Sequence, residues 1–329
     1  MKTAKGLVTL LALWSALLGN AGYADTLASE KRLVKQPELF GKSLGETTPV
    51  IFRGRLLLVQ CTLWGGPRPD PNVLEILIRD PATGEEVARL GKRHGLASAF
   101  VEGDTLHVFA AEGTPVEKEI TADNWFQHIY HFSSTDLKTW QRELALTRVG
   151  DEHVLNSSIC RDEQGYLMAY DTDLPVQFCF KFARSKDLRH WEKIDGLVFA
   201  GLEGKEYAGC PVIRYCKPFY YAIYLHPAIS GHNGWVAFMA RSKNLGDWEI
   251  SPKSPVLEAE KNEGINNSDV DLIEVDGKTY VYYCTGDQAT WANVKRAVYP
   301  GPMAEFFESY FPKGVETVKV NARVSQQTK

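Results

Sequence analysis

Apolar positions along the chain fall in short runs rich in Val, Ile, Leu, Tyr and Phe, broken by polar turns that usually contain Gly. Runs of this kind predict strands, and a run, a tight turn and a second run predict a hairpin. Five such hairpins occur, at 48–60, 98–111, 156–172, 210–226 and 269–288. They recur about every 50 to 60 residues, the spacing of four-stranded propeller blades. Helix signal is scarce, chiefly at 301–310 and near 122–126.

A second element alternates with the hairpins. Ser134 to Trp140, Ser185 to Trp191 and Ser242 to Trp248 are three copies of S-x-[DN]-L-x-x-W, each after a strand-like run. The Asp or Asn can bond the backbone of a tight turn, and the Trp can pack between sheets. A repeated residue usually serves the repeat, so these copies read as architecture. Hairpin and motif together predict an all-β chain, a five-bladed β-propeller forming a single domain over 44–312. A pair of β-sandwiches leaves the alternation unexplained.

The first 24 residues differ in kind. Lys2 and Lys5 precede an apolar run from Gly6 to Leu18, followed by the small residues Ala21, Gly22 and Ala24. This is the pattern of a cleaved secretory signal peptide, with an uncleaved anchor as the alternative. The expected layout is a signal peptide at 1–24, an N-terminal arm or linker at 25–43, the propeller, and a C-terminal tail at 313–329. The expected location is periplasmic or extracellular, with no membrane association after cleavage.

Lys and Arg number 37 against 41 Asp and Glu, a net charge of −4, and loss of the leader removes two lysines. No basic surplus remains to grip a phosphate backbone, which argues against nucleic acid as a partner. Six cysteines stand at 61, 160, 179, 210, 216 and 284, several inside strand-like runs, without metal-site spacing. Mostly free thiols are expected, with Cys210 and Cys216 the pair if any forms.

In a propeller, starts of innermost strands and ends of second strands crowd around one mouth of the channel. That geometry gives a list of rim acids that includes Glu46, Glu112, Glu152, Asp171, Asp173, Glu203, Glu206, Asp269 and Asp287. Measured against the acid positions that the family resemblance named below implies, Glu46, Asp171, Glu206 and Asp269 are the candidate catalytic carboxylates, with Glu46 as a displaced base and Glu206 as a displaced acid. Asp269 would orient substrate or shift a neighbour's pKa. Trp64, His94, Asn156, His226, Asn267, Asp287 and Gln288 are the substrate-binding candidates. Asn267, Asp269 and Asp271 alternate at period two and are expected on one strand face. Each acid also has a structural reading: Glu46 as a turn cap, Glu206 as a solvated loop acid, Asp171 as a turn residue, and Asp269 as a backbone partner. His107, His128 and His131 read as packing residues. Acids, amides, imidazoles and a Trp around one pocket suit a sugar, since carboxylates can protonate a leaving oxygen and activate water.

These residues resemble the five-bladed β-propeller glycoside hydrolases of families 43 and 117, related to families 32 and 130. The three S-x-[DN]-L-x-x-W copies carry the likeness, and the run from Gly264 to Gln288 is similar to a family 117 fifth blade. Family 43 implies an acid opening the first, third and fourth blades. Here Thr48-Pro49 replaces Asp-Pro, Asn156-Ser157 replaces the second Asp, and Gly209-Cys210-Pro211 replaces Glu-Gly-Pro.

The leading expectation is an exported glycoside hydrolase acting on oligosaccharide or polysaccharide ends by paired carboxylates, with the inversion that the resemblance implies. A non-catalytic carbohydrate-binding propeller is the alternative, and a phosphate-dependent glycoside phosphorylase is third, because Arg53, Arg161 and Arg214 fall toward the far ends of first strands. No cofactor is required and no protein metal site is read from the spacing. A structural Ca²⁺ in the central channel and a homodimer through the N-terminal arm are left open.

Overall fold

The computed structural model describes residues 31–62, 73–112, 126–176, 178–204, 207–227, 234–287 and 290–324, and the body of the chain begins at Arg32. Two short strands, β1 (Val34–Lys35) and β2 (Gly41–Lys42), precede five antiparallel sheets laid down in succession. Blade one is β3 (Leu44–Phe52), β4 (Arg55–Thr62), β5 (Ile76–Arg79) and β6 (Glu86–Leu90). Blade two is β7 (His94–Glu102), β8 (Thr105–Glu112), β9 (His128–Ser134) and β10 (Gln141–Thr147). Blade three is β11 (Ser157–Asp162), β12 (Gly165–Thr172), β13 (Cys179–Ser185) and β14 (Trp191–Lys193). Blade four runs β15 (Gly209–Cys216), β16 (Phe219–Pro227), β17 (Trp235–Ser242) and β18 (Asp247–Ile250). Blade five is β19 (Asn266–Val275), β20 (Lys278–Gly286) and β21 (Ala292–Tyr299).

Each hairpin read from the sequence supplies the two inner strands of one blade. The innermost strands β3, β7, β11, β15 and β19 neighbour one another in that order, and β19 returns to β3. The result is the expected five-bladed ring.

Two segments expected outside the propeller join its sheets. In the supposed arm, β1 and β2 both pair with β21, with Val34 opposite Val298 and Gly41 opposite Val294. In the supposed tail, β22 (Val318–Asn321) adds to blade four, Val320 facing Trp248. Strands of two to four residues carry too little alternation to be read in advance. Helix α1 (Met303–Ser309) lies within the stretch expected at 301–310, whereas residues 122–125 lie outside the described part.

Apolar side chains fill the spaces between blades. Between blades three and four, Phe180, Phe182, Phe199 and Trp248 are fully buried, and Phe182 stacks parallel to Trp248 at 6.1 Å. Burial of such large rings is the main term holding adjacent sheets together. All six cysteines are free thiols, and Cys210 and Cys216 lie on the same strand, so no pair forms between them.

The three S-x-[DN]-L-x-x-W copies form the same turn between the third and fourth strands of blades two, three and four. The central residues Leu137, Leu188 and Leu245 share a left-handed backbone, at φ 61°, 65° and 63°. In the second copy, Ser185 Oγ accepts the Leu188 N–H at 2.9 Å, and Asp187 Oδ1 accepts those of Arg189 and His190, both at 2.9 Å. Trp191 and Trp248 donate their indole N–H to the carbonyls of Leu188 and Leu245. Replacing Asp187 by Ala strands turn amides, and is expected to cost about 1 kcal/mol. Thermal melting should then fall by about 2 °C with the far-ultraviolet dichroism unchanged.

Candidate active site in the channel mouth

Four of the five innermost strands carry a one-residue bulge at the same depth. Pairing slips between Leu44 and Thr47, Gly95 and Ser98, Gly209 and Val212, and Ser268 and Asp271. In three of them one bulge residue adopts a left-handed backbone: Leu96 at φ 53°, Cys210 at 45° and Asp269 at 49°. For non-glycine residues such conformations cost of order 1–3 kcal/mol and gather at functional sites. All three line one pocket of about 180 Å³ at the channel mouth.

Glu46 from blade one, Asp171 from blade three and Asp269 from blade five enter that pocket, with Asn156 and Cys210 among them. The Cys210 N–H donates to Asp171 Oδ2 at 2.8 Å, and Asn156 Nδ2 lies 3.3 Å from the same oxygen and 3.0 Å from Cys210 Sγ. Asp171 Oδ1 is buried with no hydrogen-bond partner. Ser268 donates its hydroxyl to Asp269 Oδ2 at 2.7 Å.

Burial and mutual repulsion raise the proton affinity of this cluster. Burial, reinforced by the charge of Asp269 and to a lesser degree Asp171, pushes Glu46 up to about 8. Burial pushes Asp171 up to about 7, against the hydrogen bonds from Cys210 and Asn156. Such a cluster keeps a proton at neutral pH, placing carboxylic acid beside carboxylate.

One wall of the pocket is aromatic. Tyr207 packs on Trp235 with ring centres 4.2 Å apart, and Phe178 flanks Tyr207 at 5.0 Å. Burial, then the neighbouring Cys210, Asp171 and Asp269, pushes the Tyr207 phenol far up, so it stays a hydrogen-bond donor. No Lys or Arg occurs among the described residues that line the pocket.

The fold is that of the family 43 glycoside hydrolases. A thermostable family 43 glycoside hydrolase superposes with a TM-score of 0.60 at 11% identity, covering 89% of this chain and 98% of that one. BT0996, solved in an RGII complex, gives 0.59 at 16% identity, over 82% and 93%. An exo-1,5-α-L-arabinanase from a bovine ruminal metagenomic library gives 0.54 at 10%, over 80% and 94%. No protein-family model and no curated protein sequence matches the chain.

Within this propeller, the structure brings Glu46, Asp171, Asp269 and Asn156 together and leaves other expected site residues elsewhere. Glu206, Trp64 and Gln288 lie outside the described residues. Asn267, Asp269 and Asp271 do not share one face, because the bulge interrupts the alternation. Asn267 is fully buried and donates to Glu263, while Asp271 pairs with Arg214 deeper in the channel. His94 is buried against the edges of Tyr130 and Phe132, and its Nε2 sits 3.2 Å from Arg142. His226 stacks on Phe238 at 4.0 Å, and its neighbour Leu225 faces the pocket instead. Asp287 accepts the N–H groups of Thr290 and Trp291. His107 and His131 are packing residues as expected, stacked on each other and linked at 2.8 Å.

Tyr207, Trp235, Phe178 and Cys210 were not singled out from the sequence as binding residues. Trp235 opens an apolar run directly after Gly234, a signal that could have marked it. Among the described residues no three His, Cys, Asp or Glu side chains group as metal ligands, and the open question of a channel Ca²⁺ gains no donor set from them.

Proposed function

We propose that the chain is a glycoside hydrolase acting on the end of an oligosaccharide or polysaccharide by paired-carboxylate hydrolysis. One observation carries this reading: carboxyl groups from three blades converge on one pocket, two of them raised to about 7 and 8, beside an aromatic wall. Glu46, from its position alone the expected base, is better suited as the acid. Protonated at neutral pH, it gives its proton to the leaving glycosidic oxygen as that bond breaks. Asp269 takes a proton from water as the water attacks the anomeric carbon. Asp171, held by Cys210 and Asn156, sets the charge the other two experience. The sugar ring stacks on Trp235 and Tyr207, and the phenol and Asn156 bind its hydroxyls.

Attack by water on the face opposite the leaving group gives inversion, which needs carboxyl groups about 6.5–9.5 Å apart. A phosphate co-substrate would meet carboxylates without a described cation, which favours hydrolysis over phosphorolysis. Export by the leader at 1–24 belongs to the same reading, because polymeric glycans are met outside the cell.

The test is turnover of aryl glycosides and of arabinan-, xylan- and rhamnogalacturonan-derived oligosaccharides, with proton NMR of the first anomer released. Inverted product supports the mechanism. Tight binding without turnover across the panel would make the chain a carbohydrate-binding propeller instead. Activity is expected to fall as pH rises through about 8, where Glu46 loses its proton, and a pH–rate profile on the alkaline side checks this.

A further inference from the structure

Resting on the pocket being a hydrolytic sugar site, we infer that Cys210 is a positioning residue whose thiol holds the Asp269 carboxylate for the water-activating step. Cys210 stands in the bulge of β15 as Asp269 stands in the bulge of β19, and both adopt a left-handed backbone, at φ 45° and 49°. Glycine would meet that backbone requirement without strain, so a cysteine kept there points to a use for its side chain. Cys210 lines the pocket together with Glu46, Asp171 and Asp269.

Three groups meet at Cys210. Its N–H donates to Asp171 Oδ2 at 2.8 Å, and Asn156 Nδ2 donates to its sulfur at 3.0 Å. A sulfur with an N–H aimed at it directs its own hydrogen elsewhere, and the acceptor is the Asp269 carboxylate. One residue thus spans two carboxylates from different blades, by its backbone to one and by its side chain to the other. Burial, then the charges of Asp269, Asp171 and Glu46, pushes the thiol far above its ordinary value, so it keeps the proton it donates. Beside this bridge, Asp171 Oδ1 is buried in the pocket lining without a hydrogen-bond partner, which leaves an acceptor for a sugar hydroxyl.

The choice of sulfur follows from the chemistry. A thiol is a weak donor and a hydroxyl a stronger one. A strong donor stabilises the charged carboxylate and makes it a poorer base, whereas a side chain without a donor leaves Asp269 free to turn away. A thiol orients the carboxylate with little loss of basicity. The other titratable groups that feel the charge of Asp269 are Glu46 of β3, Asp171 of β12, Tyr207, and the buried thiols of Cys61 and Cys284. Arg214 is already paired with Asp271 deeper in the channel. All of them stay in place when residue 210 alone is changed.

The test compares Cys210→Ser with Cys210→Ala, both of which keep the N–H bond to Asp171, by pH–rate profiles and by infrared titration of the carboxyl bands. Cys210→Ser is expected to move the acidic limb of kcat/KM down by about half to one pH unit, because the stronger donor favours charged Asp269. The plateau should fall about threefold, as the base is weaker. Cys210→Ala is expected to move the same limb up by about as much, and to lower the plateau about tenfold through lost orientation. The infrared titration should shift in the same two opposite directions without substrate. A side chain that merely fills space would change melting and leave limb and bands where they are. Limb and bands that coincide in the native, Ser and Ala proteins overturn the inference and leave the hydrolase reading standing. Opposite infrared shifts in a chain that turns over no glycan would support the thiol–carboxylate bridge and overturn the hydrolase reading.

Discussion

Glu46→Gln is expected to lower kcat/KM on natural oligosaccharides by about 10²- to 10⁴-fold, the usual contribution of a general acid. The loss should shrink to about tenfold or less on a dinitrophenyl glycoside, whose leaving group departs without a proton. Asp269→Asn should hurt both substrates alike, because the water still needs its base. If Glu46→Gln damages both equally, the roles of the two acids must be exchanged. The same variant carries a stability signature of opposite sign. Glu46 binds its proton more tightly folded, at about 8, than an ordinary glutamate near 4.5. Between those values the native state holds a proton that the unfolded chain has released, so stability falls as pH rises across that window. Asp171 acts in the same direction up to about 7. Removing the charge at Glu46 should therefore raise the melting temperature, with a gain that grows from about pH 5 to pH 8 and then levels. A variant that loses activity and melts higher at pH 8 identifies a carboxylate kept for chemistry at a cost in stability. Melting unchanged at pH 8 would show that burial does not hold the proton on Glu46.

Those two properties of Glu46 were only half visible in the sequence. The blade hairpins and the Ser-Asp-Leu-Trp turns could be read because each recurs, so weak local patterns reinforced one another. Glu46, Asp171 and Asp269 followed from counting strand ends around the ring. Their surroundings did not follow, because a bulge adds one residue without any compositional mark. It puts Asp269 into a left-handed conformation and turns Asn267 and Asp271 toward different partners, against the period-two expectation. The histidines failed for a related reason: His94 and His226 are near the mouth in sequence terms, yet their rings are covered by Phe132 and Phe238. The aromatic wall comes from residues on either side of a blade's inner hairpin, and only tertiary closure brings them face to face.

Closure itself rests on a residue that no motif announced. Glu263 has a side chain with no exposure, and its carboxylate accepts from Lys295 at 2.6 Å, from the Tyr283 hydroxyl at 3.0 Å and from the Glu260 N–H at 3.1 Å. Lys35 of β1 and Asn267 of β19 bind the other side of the same group. One carboxylate thus joins the N-terminal strand to all three strands of blade five, the place where the ring must be closed without a continuous chain. Glu263→Gln leaves Lys295 largely buried without its counter-charge, and Lys35 with only the more distant, exposed Glu260 at 3.6 Å. The expected loss is about 3–5 kcal/mol, the range for breaking a buried ion pair. Calorimetry should show melting lowered by of the order of 8 °C. Changing Glu263, Lys35 and Lys295 together to Met should recover much of that, since no buried charge is then stranded. The acid side of the stability curve follows from the same group. Burial pushes Glu263 up, but the hydrogen bonds from Lys295 and Lys35 prevail and hold it down at about 2. A folded value below the ordinary 4.5 means that the unfolded chain takes up the proton first, so stability falls as pH drops from about 4.5 toward 2. In the Glu263→Gln protein that acid limb should flatten, while the alkaline fall set by Glu46 and Asp171 remains. An acid limb unchanged by the substitution would mean that other carboxylates, such as Glu152 between Lys181 and Lys193, govern acid unfolding instead.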